Sequence, residues 1–346
     1  MTASVLSSQF GLAERLTASP AERALAKQLD ASLVRVEEGL KQQMRFADRV
    51  ADVTATYLMN AGGKRVRPVL TLLAAHLGNG VNEQVITAAQ VVEITHLASL
   101  YHDDVMDDAP LRRGVPTAQL VWGNSVAVLT GDLLFARASQ LIADLGERAI
   151  RLQADTFERL CLGQLHETIG PDEGEDPVEH YLNVLADKTG SLIAAAAQFG
   201  LVFSGAPTEF EPAVRQFGEK VGIAFQLIDD VIDLSADAAD TGKQGGTDLR
   251  AGVVTMPLLK LRARAATDAS AARLLDHLET TVIGAPDDVD VSAGVELLRA
   301  HPVTAETVAD AREWARQAVA ALDPLPSGAV KKALTRFADT VVDRSN

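Results

Sequence analysis

Leu25, Leu29, Leu33, Val36 and Leu40 recur at a spacing that returns an apolar side chain to one side of a helix at every turn. A stripe of that length and period is incompatible with a strand. It is preceded by Ser19-Pro20-Ala21-Glu22, a helix-start signature. The serine can cap, the proline suits the first turn, and the glutamate is placed to close a capping box. The spacing predicts helix onward towards Leu58, broken by Ala61-Gly62-Gly63. Further helices are predicted from about Pro68 to Leu77 and from Asn82 past Asp107 to a stop at Pro110. Others follow at roughly 124–145, 148–169, 177–188, 190–204, 211–235, 255–283, 289–300, 304–322 and 327–344. Aromatic residues are only 4% of the chain, which also disfavours strand. No fixed-period repeat and no Pro/Ser linker divides the sequence. The expected fold class is therefore all-α, a single-domain helical bundle over residues 21–346 after an N-terminal arm at 1–20. At 346 residues and 47% hydrophobic, the chain can bury a sizeable core.

A net charge of −15 argues against nucleic acid as the main partner, because phosphate neutralisation needs a basic face. An anionic substrate would need a local basic pocket or bridging cations. The single cysteine, Cys161, excludes an intramolecular disulfide and a cysteine-cluster metal site. It suits a reducing cytoplasm, the expected location. The N-terminal MTASVLSSQFGLAERL lacks the basic start and long apolar core of a signal peptide. No charge-free apolar run reaches the roughly eighteen residues of a membrane span.

Two acidic clusters stand out. In Asp103-Asp104-Val105-Met106-Asp107, Asp103 and Asp107 are four apart and share a helical face. They sit near a helix C-terminus, where the dipole disfavours negative charge, so cations are expected to offset them. Hard carboxylate oxygens suit Mg2+ held jointly with substrate phosphates. Alone, this cluster reads as a solvated helix end. Asp229-Asp230-Val231-Ile232-Asp233 repeats the pattern after the apolar run Ala224-Phe225-Gln226-Leu227-Ile228, where carboxylates are costly unless paired or metal-bound. Two such clusters arise by accident far less readily than one. If their helices face each other, they form an acidic mouth that two or three Mg2+ ions could bridge to a diphosphate.

Cations lie near both clusters. Gly62-Gly63-Lys64-Arg65-Val66-Arg67-Pro68 sits at a helix junction, and Leu111-Arg112-Arg113-Gly114 follows the first cluster. Arg forks and Lys point charges are the usual phosphate ligands, although a basic surface loop or local salt bridges would look the same. His96 lies two turns before Asp103. Lys188-Thr189-Gly190 reads as a helix end with a glycine cap. Lys243 lies in a Gly- and Asp-rich loop, 236–252, where a surface lysine is the default.

GGKRVRP, DDVMD with RRG, KTG and FQLIDDVID, in that order, resemble the trans-isoprenyl diphosphate synthases, or polyprenyl synthetases, over about residues 25–345. The resemblance implies a bundle around a deep central cavity, two or three Mg2+ ions per active site, and a homodimer. Asp103, Asp107 and Asp229 would hold the Mg2+ ions that bridge to an allylic diphosphate, with Asp104, Asp230 and Asp233 in support. Arg112, Lys188 and Lys243 would bind the same diphosphate. Lys64, Arg67, His96 and Arg113 would grip isopentenyl diphosphate, and Thr189 and Gln226 would line the carbocation. One departure stands out: where family members often carry a Lys in a GKxT segment, this chain reads Gly252-Val253-Val254-Thr255.

Ala98 lies five residues before Asp103, about 7.5 Å down the helix at roughly 1.5 Å per residue, with Ser99 beside it. In the family a bulky aromatic here stops the chain early. Ala98 and Ser99 are small and Ile94, a turn deeper, is not aromatic, so the expected product is medium-to-long, a quinone side-chain precursor. Ordinary helix packing would leave the floor to another helix, at Leu134 or Phe135. Tyr101 should point elsewhere. Competing readings are a short-chain farnesyl or geranylgeranyl synthase, a non-catalytic partner subunit, a class I terpene cyclase and a plain acidic helical protein. The intact acidic clusters and GGKRVRP weigh against the last three. Contact with a membrane is expected to be transient at most.

Overall fold

Ser19 accepts a hydrogen bond from the Glu22 amide (3.3 Å), and the Glu22 carboxylate accepts one from the Ser19 amide (2.7 Å). The capping box therefore closes, and α1 (Pro20–Gln43) begins where the sequence signals it, with Leu25, Leu29, Leu33, Val36 and Leu40 buried. The helix ends short of the run expected towards Leu58. Asp48 accepts from the amides of Val50 and Ala51, at 2.9 Å each, and starts a separate helix, α2 (Arg49–Asn60).

The computed structural model describes residues 19–235, 245–286 and 289–343. Along the chain follow α3 (Val66–Ala75), α4 (Glu83–Met106), a hairpin of β1 (Leu111–Arg112) and β2 (Val115–Pro116), α5 (Ala118–Trp122), α6 (Asn124–Ala143) and α7 (Glu147–Ile169). Then come α8 (Pro177–Leu185), a π-turn (Ala186–Gly190), α9 (Ser191–Phe203), α10 (Glu211–Ser235) and α11 (Thr247–Ala251). The series ends with α12 (Met256–Ala265), α13 (Ala269–Thr281), α14 (Ser292–Ala300), α15 (Pro302–Ala321) and α16 (Ala329–Val342). The all-α expectation holds: the hairpin is the only sheet among the described residues. The predicted helix over 255–283 is two, because Asp268 caps α13 through the Ser270 amide at 2.7 Å.

Two compact units interleave along the chain. The first takes the described residues to Arg159 with Ser191–Gly218 and Ala321–Phe337. Its centre is α4, which packs against α1, α3, α6 and α9. Val85, Val91, Val92, Ile94 and Leu97 are inaccessible, and Gln90, Glu93 and Thr95 are buried among them, so α4 is covered on nearly every side from Val85 to Ser99. Each such apolar side chain contributes about 1.5–3 kcal/mol of burial. Gly200 brings the backbones of α9 and α3 together, since a Cβ there would lie 2.0 Å from the Thr71 carbonyl oxygen.

Within this unit α6 is long and apolar enough to cross a membrane by length and composition. It also carries Asp132 and Arg137 and packs against α2, α4 and α5. Val128, Leu129 and Leu133 on it are exposed.

The second unit takes Leu160–Gly190, Glu219–Ala320 and the described residues from Ala338. Leu249, Leu258, Leu261, Leu278, Val295 and Leu298 form a core there between α11, α12, α13 and α14.

Candidate active site

In the first unit the acidic cluster divides by orientation. Asp103 is half-buried, Asp107 is exposed at the end of α4, and the Asp107 amide donates to the Asp103 carbonyl at 2.8 Å. Asp104 is fully buried and accepts from Arg112 Nε at 2.7 Å. Burial raises the Asp104 pKa, and the Arg112 guanidinium opposes that rise.

Arg112 ends β1. Arg113 and Gly114 then turn the chain with positive φ (55° and 79°), as the central residues of a type I′ hairpin require. The turn aims Arg113 back at α2, where its Nη1 donates to the carbonyls of Leu58 (2.9 Å) and Gly62.

The basic run is also divided. Arg65 adopts φ 51° and is buried, with bonds to the Glu37 and Glu93 carboxylates and to the Gly62 carbonyl. It is therefore structural. Lys64 is exposed beside it. Arg67 presents a buried Nε that has no hydrogen-bond partner. Burial pushes its pKa down to about 10; nearby Arg113 adds to this, and Glu93 and Asp103 oppose it. His96 is held well below the ordinary histidine range, first by burial and then by Arg67, Arg113, Arg112 and Arg65, so it is neutral at pH 7. A half-buried set of guanidiniums with an unsatisfied donor, in a chain of net charge −15, calls for an anion. A diphosphate matches those planar donors.

In the second unit Asp230 is buried and accepts from the Tyr181 hydroxyl (3.0 and 2.8 Å) and from the Met256 amide (3.0 Å). Burial pushes its pKa up to about 7. The Asp233 carboxylate accepts from the Asp248 amide at 3.1 Å and so caps α11. Asp229, immediately before Asp230 in sequence, is half-buried, and Gln226 lies one turn earlier on α10.

Lys188 and Thr189 do not close a helix, as the sequence predicted. They lie in the π-turn, through which the chain continues directly into α9. Gly190 is not a left-handed cap there. It serves close packing, since a Cβ would lie 3.0 Å from the Glu219 carbonyl oxygen. On the other side a Cβ at Gly163 would lie 2.5 Å from the Lys188 amide nitrogen, and one at Gly222 would lie 2.5 Å from Gly190 Cα. The turn is thus clamped between α7 and α10 by glycines. Thr189 is buried, and Lys188 Nζ is paired with the Glu167 carboxylate.

Lys243 lies outside the described residues. Val253 is exposed and brings no cation, and Arg250 nearby donates to the carbonyls of Pro286 and Val289. On α4, Ile94 and Ala98 expose no surface and Ser99 exposes 7%, its Oγ donating to the His96 carbonyl. Leu134 is buried, and Phe135 packs its ring between those of His102 and Phe157. Tyr101 points away from these, bonded through its hydroxyl to Thr54 and Leu58.

The polyprenyl synthetase family model matches residues 49–289. The chain belongs to the polyprenyl synthetase family. It is 43% identical over 324 residues to a nonaprenyl diphosphate synthase of Mycobacterium tuberculosis, covering 93% of this chain and 95% of that one. A polyprenyl synthase from Caulobacter crescentus, solved with calcium and isoprenyl diphosphate, superposes with a TM-score of 0.83 at 32% identity, covering 93% and 97%. A geranylgeranyl pyrophosphate synthase from Corynebacterium glutamicum, solved with the same ligands, gives 0.79 at 38%, covering 94% and 98%.

The donor set of this synthetase fits a divalent cation bound together with substrate. Among the described residues no group of three His, Cys, Asp or Glu could hold a metal unaided. Carboxylates offered singly or in pairs leave coordination positions for phosphate oxygens, the habit of Mg2+.

Sequence reasoning passed over Glu37, Glu93, Glu167 and Tyr181. Of these only Tyr181 left a signal, a hydroxyl on a largely apolar helix that needs a partner when buried.

Proposed function

We propose that this synthetase condenses isopentenyl diphosphate with an allylic diphosphate, head to tail and in trans, and makes a medium-to-long polyprenyl diphosphate. The observation that carries this is the Arg67, Arg113 and His96 set with its unpaired buried Nε, electrostatically coupled to Asp103 of the first acidic cluster. Lys64, Arg67, His96 and Arg113 grip the isopentenyl diphosphate. Neutral His96 contributes a hydrogen bond rather than charge. Arg112 keeps Nε on Asp104 and offers its Nη groups to the allylic diphosphate. Lys188 exchanges Glu167 for the same diphosphate, and Lys243 adds a further contact. Asp103, Asp107 and Asp229 would hold two or three Mg2+ ions. Bound Mg2+ supplies charge neutralisation to the departing diphosphate.

The allylic carbon–oxygen bond ionises, the isopentenyl double bond attacks the cation, and the released diphosphate takes the proton. Thr189 and Gln226 turn their oxygen dipoles towards the cation. No protein nucleophile enters this sequence.

The nonaprenyl relative over 93% of the chain and the small residues Ala98 and Ser99 support a product beyond geranylgeranyl length, suited to a quinone side chain. The exposed Val128, Leu129 and Leu133 on α6 suit burial by a second copy, which gives a homodimer. The cytoplasm is the proposed location, with transient membrane contact at product release.

The test is an assay with radiolabelled isopentenyl diphosphate, farnesyl diphosphate and Mg2+, with products sized chromatographically. Products beyond twenty carbons, lost with chelator and with Asp103→Ala, are expected. A sole geranylgeranyl product would keep the reaction and overturn the length. No turnover with any allylic starter would favour the partner-subunit reading.

A further inference from the structure

Tyr181 joins the two segments of the second unit that carry site residues. Its hydroxyl donates to both carboxylate oxygens of Asp230, at 3.0 and 2.8 Å, while the Met256 amide donates to Oδ2 at 3.0 Å. One side chain on α10 thereby binds α8 and the first turn of α12. Asp230 is the immediate neighbour of Asp229. Adjacent helical residues differ by about 100° in direction, so seating Asp230 inward against Tyr181 also fixes the direction in which Asp229 leaves the helix.

Tyr181 also lies two turns before Lys188 on a continuous stretch, because α8 passes into the π-turn. Glycines at 163, 190 and 222 let that turn lie against α7 and α10 without side chains between them. A hydroxyl at 181 thus sets the register between the segment bearing Lys188 and Thr189 and the helix bearing Gln226 and Asp229. Packing alone does not need it. The apolar cluster around α11 to α14, with Leu234 of α10 and Val303 of α15, includes no residue of α8, and a phenylalanine ring would fill the same space on α8.

We propose that Tyr181 is a positioning residue for diphosphate ionisation, acting through Asp230 to hold the Asp229 carboxylate and the Lys188 segment in the geometry one Mg2+–diphosphate requires. The inference rests on the prenyl-transfer reading above. It concerns neither the isopentenyl diphosphate residues nor the first acidic cluster.

The experiment compares Tyr181→Phe, Asp230→Asn and the double variant in the full chain. Rates are measured with Mg2+, allylic diphosphate and isopentenyl diphosphate each varied. A parallel thermal-shift titration uses Mg2+ with inorganic diphosphate, which reports on binding without turnover. Tyr181→Phe is expected to raise the half-saturating Mg2+ and the allylic KM about 5–10-fold, the scale of one net intramolecular hydrogen bond. The isopentenyl KM and the unliganded Tm should stay near wild type. In the Asp230→Asn background the same change should add less than about twofold, as expected for residues acting in one chain of contacts. The Mg2+–diphosphate thermal shift should shrink in parallel.

Unchanged Mg2+ and allylic constants in Tyr181→Phe would overturn the inference, as would an effect that simply adds in the double variant. A lowered Tm with every constant unchanged would mark Tyr181 as packing and overturn it too. If wild type itself shows no turnover, the functional reading fails separately, and the thermal-shift comparison still decides the role of Tyr181.

Discussion

Arg112 Nε lies 2.7 Å from Asp104 Oδ1, joining a base that is 31% exposed to an acid with no exposed surface. The pair pins the hairpin to the last turn of α4, beside Asp103 and Asp107. Asp104→Asn keeps the shape and removes the charge. Discounted for the solvent reaching Arg112, the loss of stability should be about 1–2 kcal/mol. The allylic KM should rise about tenfold, because the Arg112 Nη groups lose their fixed direction, while the isopentenyl KM changes less. Denaturant unfolding and steady-state kinetics check both. A wild-type allylic KM in this variant would show that Arg112 needs no such anchor.

Gly163 faces the Lys188 amide, where an added Cβ would stand 2.5 Å from backbone that cannot swing aside. Gly163→Ala must therefore displace the π-turn or α7. Overpacking of this kind costs about 1–3 kcal/mol. Because the displaced segment carries Lys188 and Thr189, the rate should fall by more than the folded fraction falls. Comparing kcat with circular dichroism at one temperature separates the two. A rate that falls only in step with the folded fraction would remove the glycine clamp from the catalytic argument.

Local signals were legible and distant partners were not. The Ser19 box and the leucine stripe of α1 depend on neighbours within one or two turns, so sequence spacing contains them. The two acidic clusters were legible as chemistry, because paired carboxylates at four-residue spacing are rare on a stable helix. Their division into inward and outward acids was not. Asp104 is committed to Arg112, eight residues on, and Asp230 to Tyr181, 49 residues back in the chain. Arg65 looked like an equal of Lys64 and Arg67 until Glu37 and Glu93, each 28 residues away, engaged it. Gly190 after Lys188 imitates a helix cap, but its reason is the nearness of Glu219, which no local pattern encodes.

His96 gives a pH signature. Its folded pKa lies below the unfolded value of about 6.5, because burial and four arginines disfavour the charged ring. The unfolded chain therefore binds the extra proton first, so the stability His96 contributes is full above about pH 7 and falls as pH drops below about 6.5, against the opposite trend of Asp230, whose folded pKa of about 7 adds stability on acidification. His96→Gln should flatten that limb of the Tm profile between pH 5 and 7. It should also raise the isopentenyl KM with less effect on the allylic KM. An unchanged acid limb in His96→Gln would assign the decline to other groups.

Ser99 and Ala98 offer different tests of product length although they are adjacent. Ala98 exposes no surface, and its carbonyl oxygen lies only 3.1 Å from where a Cβ on Gly131 would stand, so α4 and α6 are in close contact there. A phenylalanine at 98 must force those helices apart, at about 1–3 kcal/mol. Ser99 exposes 7%, and its small Oγ is turned to the His96 carbonyl within its own helix. A phenylalanine at 99 should extend into the space the growing chain uses and disturb α6 less. Ser99→Phe is expected to shorten the product by one or more five-carbon units with Tm lowered by only a few degrees. Ala98→Phe should shorten it as well, with a larger loss of Tm. Product sizing on thin-layer plates beside thermal unfolding reads both effects. If Ser99→Phe leaves the product distribution unchanged, the chain does not pass α4 at this level. The floor would then be sought at the tilted ring pair of Phe135 and Phe157, whose centroids are 4.5 Å apart.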